Sequence, residues 1–560
     1  MNNNSAGAIW KQYEKGLRYF DSMGLTKEWK DAEDFYEGRH WPNPTPRTKN
    51  LPRPVINLCS MIADNKRASI LSGKLKMIFR PSEMYGERLE QARQGANIFT
   101  KFSELINKEM NLDDLEDQAQ EKATQLGGYV YHFFWDKQIS GGMETNYVGA
   151  MRGEVLDPKN VIVANPRENN EQKQRYIIIA SIESLDSVKQ LAKNNKVKNI
   201  DEIVADKEIE DEATKEDEVC TVLTKYFRIN GKVYWCKSTK NVIIQEPTAW
   251  EPNPNKVKLQ DEEDLDEVTE PDDVKDNYSF KQQLYPIVIG DHKSRKNSIY
   301  GIGEVIQAIP NNKSINFNLG MMLLSVQQTA WPKILQKVGA LAKQQITNAP
   351  GEIITDHSKG NGWGVQYMNA SGFNAQALTL TSTIMDLTRT VSGSTEVVTG
   401  EVMGANMAAS AIIALQNQAK KPIEMYQKKR QQAFEKIGKI EEQFFKFYYN
   451  DDREFGYEED GQVLVSNMNG QEYRDIDFSL IIDVGQAGTY SEALAIGLLD
   501  SLKADGTIDQ DDYIELYPET IMVFKEQLKK IRQKKMEQQA ALLASIPSQT
   551  IPRQSNIPIQ

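Results

Sequence analysis

Between Gly400 and Tyr449 the sequence commits the chain to one unusually long helix. Apolar residues recur at Ile412, Leu415, Ala419, Ile423, Tyr426, Ala433, Ile437, Ile440, Phe444 and Phe447, and only Arg430 interrupts a spacing that alternates between three and four. Such spacing lays one apolar stripe along a single helix face. At about 1.5 Å per residue the helix would run roughly 65 Å, more than the width of a small domain, so a large body has to be arranged along it. Pro422 sits inside the pattern and denies the helix one N–H donor, which predicts a kink near Lys420–Pro422. The loop feeding the helix, GEVMGAN, carries Gly400 and Gly404, which tolerate backbone angles that other residues avoid.

A chain of 560 residues has room for about three or four domains. No apolar run approaches the ~18 residues of a membrane span, and the start, MNNNSAGAIWKQYEKG, lacks the basic and apolar regions of a secretory signal, so an intracellular protein is expected. Cys59, Cys220 and Cys236 form no CxxC pair and read as buried thiols. The net charge of −12 is opposite to that of a protein gripping nucleic acid, which binds through many Lys and Arg contacts to phosphate. Any DNA is expected to be passed rather than clamped.

Taken in order, residues 6–39 read as two aromatic-rich helices before the proline-rich loop WPNPTPRTKNLPRP. VINLCSMIADNKRASILSG reads as a helix stopped by Gly73, and Glu87–Gly127 as another. YVYHFFWDKQI, Tyr147–Leu156, Val161–Ala164 and Tyr176–Ile182 are strand candidates. Two charged inserts, Lys196–Val219 and Asp261–Lys275, punctuate the middle and are expected to bury no core; the second holds nine acids against one lysine. Between them Asn230-Gly231 marks a hairpin. Gly301–Val326 is the second long helix, with Val305, Ile309, Ile315, Leu319, Met322, Leu323 and Val326 near one face and Pro310 bending it. GEIITDHSKGNGWGVQYM reads as short strands and turns, Asn374–Thr390 as a helix, and the stretch after Tyr449 as three or four strands. The last unit, from Tyr490 to Ser545, is helical, ending in the basic run Lys525, Lys529, Lys530, Arg532, Lys534 and Lys535, and a polar tail follows.

Signals for chemistry are sparse. Gly301-Ile302-Gly303 begins like a dinucleotide fingerprint, but Ile306 stands where the third glycine belongs, so a tight turn before a helix is the simpler reading. No GxxxxGK[ST] loop is present, and His40, His132, His292 and His357 are scattered without metal-ligand spacing. Asp475 and Asp477 share one side of a strand candidate and read as solvated carboxylates rather than a metal pair. No cofactor and no metal are expected, and the chain is not expected to be an enzyme.

The order of elements is more telling. FYEGRHW with LPRPVINLCSMIADNKRASILSG, then EVLDPKNVIVANP, then YPIVIGDH leading to GIGEVIQAIPNNKSINFNLGMMLLSVQQTAWPKIL, and finally helix, small β excursion, helix, glycine loop and long kinked helix together resemble the portal proteins of tailed bacteriophages. The resemblance spans nearly the whole chain. It implies an α+β, mainly helical subunit with wing, stem, clip and crown, its long kinked helix spanning the wing. Residues 1–298 would be the N-terminal wing region, 299–330 the stem helix, 331–376 the clip, 377–395 the returning stem helix, 396–408 the tunnel loop, 409–488 the long wing helix and strands, 489–545 the crown and 546–560 a disordered tail. The implied function is structural: a ring, usually of twelve subunits, at a capsid vertex of the virion. Double-stranded DNA is packaged through it by the terminase and later ejected. Further partners would be head-to-tail connector or adaptor, major capsid and scaffolding proteins, with assembly in the host bacterial cytoplasm and no membrane involved. Val398, Thr399, Gly400, Glu401, Val402, Met403, Gly404, Ala405 and Asn406 would form the tunnel loop, and Lys313, Arg389, Lys420 and Lys421 are candidate DNA-channel contacts. The alternatives are a metal-dependent nucleic-acid enzyme and a different phage head structural protein.

Overall fold

The computed structural model describes residues 4–82, 88–141, 147–206, 218–250, 283–330, 333–338, 355, 364–368, 376–393, 409–459, 462–484, 499–503, 505, 506, 508, 513, 516 and 517, with 409–420 as helix only. The N-terminal helices α1 (Ala6–Met23) and α2 (Leu25–Tyr36) meet at Gly24, whose left-handed backbone (φ 72°) ends one helix and starts the next. After the proline-rich loop, the Asn57 side chain accepts the Ser60 N–H and caps α3 (Leu58–Ile70). Strand β1 (Lys76–Pro81) follows. The single helix expected over Glu87–Gly127 is two, α4 (Leu89–Glu109) and α5 (Leu112–Leu126). The break falls at Asn111, which adopts φ 54°, a conformation that Asn enters more readily than most residues.

Strands dominate the next stretch. β2 (Gly128–Gly141) and β3 (Tyr147–Leu156) pair antiparallel; β4 (Val161–Val163) and β5 (Tyr176–Ser184) come next, then α6 (Leu185–Asn194), β6 (Val219–Ile229), β7 (Lys232–Ser238) and β8 (Ile243–Ala249). Strands β4 to β8 form one antiparallel five-stranded sheet in sequence order. Asn230 (φ 49°) and Gly231 (φ 82°) both take positive φ in the two-residue turn between β6 and β7, as that turn requires. The insert Lys196–Val219 contributes to a core after all: Ile203 is buried against α6, β6 and β8, with Val197 and Ile200 packed beside it. Its charges are interleaved with apolar residues that a composition argument averages away.

β9 (Ile287–Asp291) pairs with the other edge of β2, giving the order β3-β2-β9. β10 (Lys293–Arg295) and β11 (Ser298–Ile302) form a ribbon, and α7 (Glu304–Ala330) follows. The helix expected from Gly301 therefore starts three residues later. Gly301 and Gly303 lie against the end of α5: a β-carbon on Gly301 would stand 2.1 Å from the Gly127 carbonyl oxygen, and one on Gly303 2.3 Å from that of Gln125. The glycine pair is a close-packing device. Along α7, Val305, Ile309 and Ile315 are buried, whereas Leu323 and Val326 are exposed, so the apolar stripe outlasts the core it packs on.

The β excursion is an antiparallel ribbon of β12 (Lys333–Gln336) and β13 (Val365–Met368), leading to α8 (Gln376–Ser392). The long helix α9 (Ala409–Tyr448) has 40 residues and continues across Pro422. β14 (Arg453–Glu459) and β15 (Gln462–Met468) form a hairpin, while β16 (Phe478–Asp483) pairs with β1, some four hundred residues away in sequence. Asp475 and Asp477 precede β16 rather than lying on it, and both are exposed.

The C-terminal half of α9 is the spine of the largest core. Ala433, Ile437, Ile440, Phe444 and Phe447 are buried, and Phe445 packs edge-on against Phe99 at 5.5 Å while Tyr449 does so against Phe102 at 5.0 Å. Two smaller clusters unite α2, α3 and α7, and α6 with the large sheet. The mainly helical class is wrong: among the described residues 49% are helix and 27% strand, distributed over several sheets. Long helices announce themselves by period, whereas short strands paired across distant segments do not.

The chain divides into two compact units, Met1–Leu71 with Leu75–Asp483, and Ser72–Lys74 with Val484–Gln560. In the second, residues 499–503 are helical and the Tyr513 hydroxyl donates to Asp500 at 2.6 Å. The tunnel-loop residues 398–406, the acidic run 261–275, His357, the basic run 525–535 and the tail lie outside the described residues. No helix among the described residues is long and apolar enough to cross a membrane.

Candidate functional site at the foot of the helical hairpin

Helices α7 and α8 run antiparallel as a hairpin, tied where Asn311 Nδ2 donates to Thr388 Oγ1 at 3.0 Å. Two buried polar groupings anchor its root. In the first, His40 stacks on Phe35 at 4.6 Å; its Nε2 lies 2.8 Å from the Phe35 carbonyl, and its Nδ1 lies 3.1 Å from Asn312 Nδ2 and 2.7 Å from Asn316 Nδ2. Because a carbonyl only accepts and an amide NH₂ only donates, Nε2 carries the proton and Nδ1 accepts. The two asparagines use their Oδ1 atoms to accept the N–H groups of Leu58 and Ile56, each at 2.9 Å. The N-terminal segment is thereby sewn to α7.

The second grouping lies where α8 ends. Lys66 on α3 donates to the Ser392 carbonyl at 3.0 Å, pairs with Glu304 at 3.2 Å, and stands 4.8 Å above the Tyr426 ring. Glu304 accepts a hydrogen bond from His292 Nε2 at 3.2 Å, and His292 stacks on Tyr426 at 4.4 Å. Burial lowers the His292 pKa and keeps the ring neutral. Burial alone would raise Glu304, but the His292 hydrogen bond and the Lys66 charge hold it below the ordinary carboxyl value. Lys429 completes the set by bridging Asp291 at 2.9 Å and the His292 carbonyl at 3.1 Å. One lysine therefore ties together α3, the start of α7, the end of α8 and α9. Next to it, Asn65, Ser69, Ser392, Gly393, Pro422 and Ile423 line a cleft of about 10 Å³, room for roughly one water. Gly393 leaves α8 at φ 75°, so the chain turns out of the helix at this knot.

The candidate cations from the sequence are dispersed around this root. Lys313 is exposed on α7, its ammonium 5.0 Å above Phe35. Arg389 is half-buried in the last turn of α8, and among the described residues its Nε has no hydrogen-bond partner. Lys421 is exposed beside Pro422, while the Lys420 side chain lies outside the described residues. Sequence reasoning passed over Lys66 and Glu304, and set His292 aside with the other scattered histidines, because none belongs to a motif. The available signal was charge in an apolar context, Lys66 inside VINLCSMIADNKRASILSG and Glu304 at the head of an apolar helix.

Elsewhere, His132 is buried, 2.7 Å from Glu154 and 2.8 Å from the Tyr226 hydroxyl. The three cysteines are free and buried; burial pushes Cys59 up to about 12 and Cys220 and Cys236 to about 11. Among the described residues no group of three or more His, Cys, Asp or Glu side chains is placed to hold a metal. In comparisons with known proteins, no family model matches this sequence and no curated protein matches it.

Proposed function

We propose that this chain is the subunit of a ring-shaped phage portal, a structural channel through which genomic DNA enters and leaves a capsid. The observation that carries the reading is the surface of the α7–α8 hairpin. From Val305 to Ala330 the only charged residue is Lys313, and Phe317, Met321 and Val326 on α7 stand exposed, as do Leu380, Leu387 and Val391 on α8. A helical pair this apolar and this poor in charge is under-covered as a single chain. Burial against the same pair in neighbouring copies removes that surface from water, and repetition of one heterologous contact closes a ring when the rotation between copies divides a full turn. The hairpin root supports the same reading, because Lys66 holds the start of α7, the end of α8 and Tyr426 of the long helix together at one point. Terminase and a head-to-tail connector would be its docking partners, and the ring itself performs no chemistry.

Deleting Glu401–Ala405 tests the functional half of the reading. The variant is expected to assemble like the parent but to package or retain DNA poorly in a packaging assay. Normal packaging by the deletion variant removes the tunnel-loop role, and divalent-metal-dependent nuclease activity in the purified protein replaces the reading with an enzymatic one.

A further inference from the structure

The protein is acidic overall, with 79 acids against 67 bases, yet from Gly38 to Ala63 it carries Arg39, Arg47, Lys49 and Arg53 and no acid at all. This loop is built, not loose. Trp41 Nε1 donates to the Pro54 carbonyl at 2.9 Å, and a β-carbon on Gly320 of α7 would stand 3.2 Å from the Pro52 carbonyl oxygen. His40 and Ile56 are fixed to Asn312 and Asn316 as described above. Two successive turns form its tip: the Thr48 N–H donates to the Thr45 carbonyl at 2.9 Å, and the Leu51 N–H to the Thr48 carbonyl at 3.2 Å.

The four cations are not equivalent. Arg39 is committed to Asp34 and Glu37. Arg53 holds the turns, donating to the Pro42 carbonyl at 2.8 Å and to Thr48 Oγ1 at 3.2 Å. Arg47 and Lys49 are exposed and, among the described residues, make neither an ion pair nor a side-chain hydrogen bond. Prolines at 42, 44, 46, 52 and 54 limit the freedom the loop would lose on binding. Thr45, Thr48 and Asn50 beside the cations are the neutral side-chain types that add hydrogen bonds to phosphate oxygens.

We propose that this loop is a binding site for the phosphodiester backbone of nucleic acid, with Arg47 and Lys49 as its phosphate contacts. Neither residue is among the channel candidates Lys313, Arg389, Lys420 and Lys421, and the proposal rests on the charge and construction of the loop alone, so it stands or falls independently of ring formation. Exposed Leu51 and Val55 alongside make an acidic polypeptide the competing occupant.

The test uses the full chain and fluorescence anisotropy across a salt series, with labelled duplex DNA in one arm and single-stranded RNA of equal length in the other. Polyglutamate of matched charge is the competitor. The parent is expected to bind at low salt, and the tighter of the two arms identifies the source of the phosphates. Arg47→Ala/Lys49→Ala is expected to lower the slope of log K against log salt by about 1.8 for duplex DNA or about 1.4 for single strands, two phosphate contacts' worth. The charge-preserving Arg47→Lys/Lys49→Arg keeps the slope, and equal melting temperatures show that all variants are folded. Absence of binding by the parent, an unchanged slope in the alanine variant, or displacement by polyglutamate as effective as by unlabelled nucleic acid overturns the proposal.

Discussion

Arg430 is the one residue that interrupts the apolar stripe of the long helix, and its position in the core explains why it is tolerated there. Its guanidinium pairs with Glu116 on α5 through Nε and, at 2.8 Å, through Nη2, and a third contact reaches the Ile70 carbonyl at 3.3 Å. Burial raises the Glu116 pKa, and Arg430 opposes that shift. Removing one partner of such a pair strands a buried charge, so Arg430→Met is expected to cost roughly 3–5 kcal/mol in urea unfolding, and adding Glu116→Leu should recover most of it. A double variant no more stable than the single would contradict that origin. Glu441 is the opposite case, a fully buried acid with no cation beside it among the described residues. Ser103 Oγ donates to its Oε2 at 2.6 Å, while among the described residues its Oε1 and the nearby Asn107 Oδ1 have no hydrogen-bond partner. Burial lifts its pKa from 4.5 to about 8, so the folded protein holds a proton that the unfolded chain releases. The stability tied to the neutral acid is complete below the unfolded value and is lost as pH rises through about 8. Glu441→Gln is expected to flatten that dependence and to add up to roughly 4–5 kcal/mol above it; a variant whose melting temperature keeps the parent's pH slope would contradict the assignment. Arg430 was visible in the sequence as a break in period, but Glu441, followed directly by Glu442 and Gln443, carried no mark of its burial.

Among elements, those with a local cause were the legible ones. The stripe of α9, the Asn230-Gly231 turn and the helix pair within residues 6–39 each follow from spacing or backbone preference within a few residues. What escaped was set by distant partners: the pairing of β1 with β16, and the use of Gly301 and Gly303 for close approach to α5. The hairpin root belongs to this second kind, since Lys66 acquires its meaning only when Glu304, Ser392 and Tyr426 arrive from three other segments. Two outcomes follow there. Lys66→Met removes the donor to Ser392 and leaves Glu304 with His292 alone, so the amides of Leu387–Ser392 should exchange with deuterium faster while those of Phe444–Tyr448 stay protected. Equal exchange of Leu387–Ser392 in the parent and in Lys66→Met would show that α8 is held without the lysine. Gly301→Ala drives a β-carbon into the Gly127 carbonyl and is expected to destabilise the fold by about 1–3 kcal/mol or more, read as a lowered urea midpoint; an unchanged midpoint would mean the contact relaxes freely.

For the molecule as a whole, the sequence indicated its scale and its acidity but overweighted helix, because long periodic segments dominate the eye while a five-stranded sheet is assembled from short ones. The candidate site was legible only in outline: residues 398–406 were singled out by the resemblance to portal proteins and lie outside the described residues, and the Lys66 knot came from tertiary structure. The proposed function turns on whether the exposed apolar faces of α7 and α8 are covered by further copies of the same chain. Size-exclusion chromatography with light scattering, followed by negative-stain microscopy of the same fraction, measures that directly. A closed ring of many subunits around a central hole is the expected result, and a monodisperse monomer under conditions that favour assembly would contradict it.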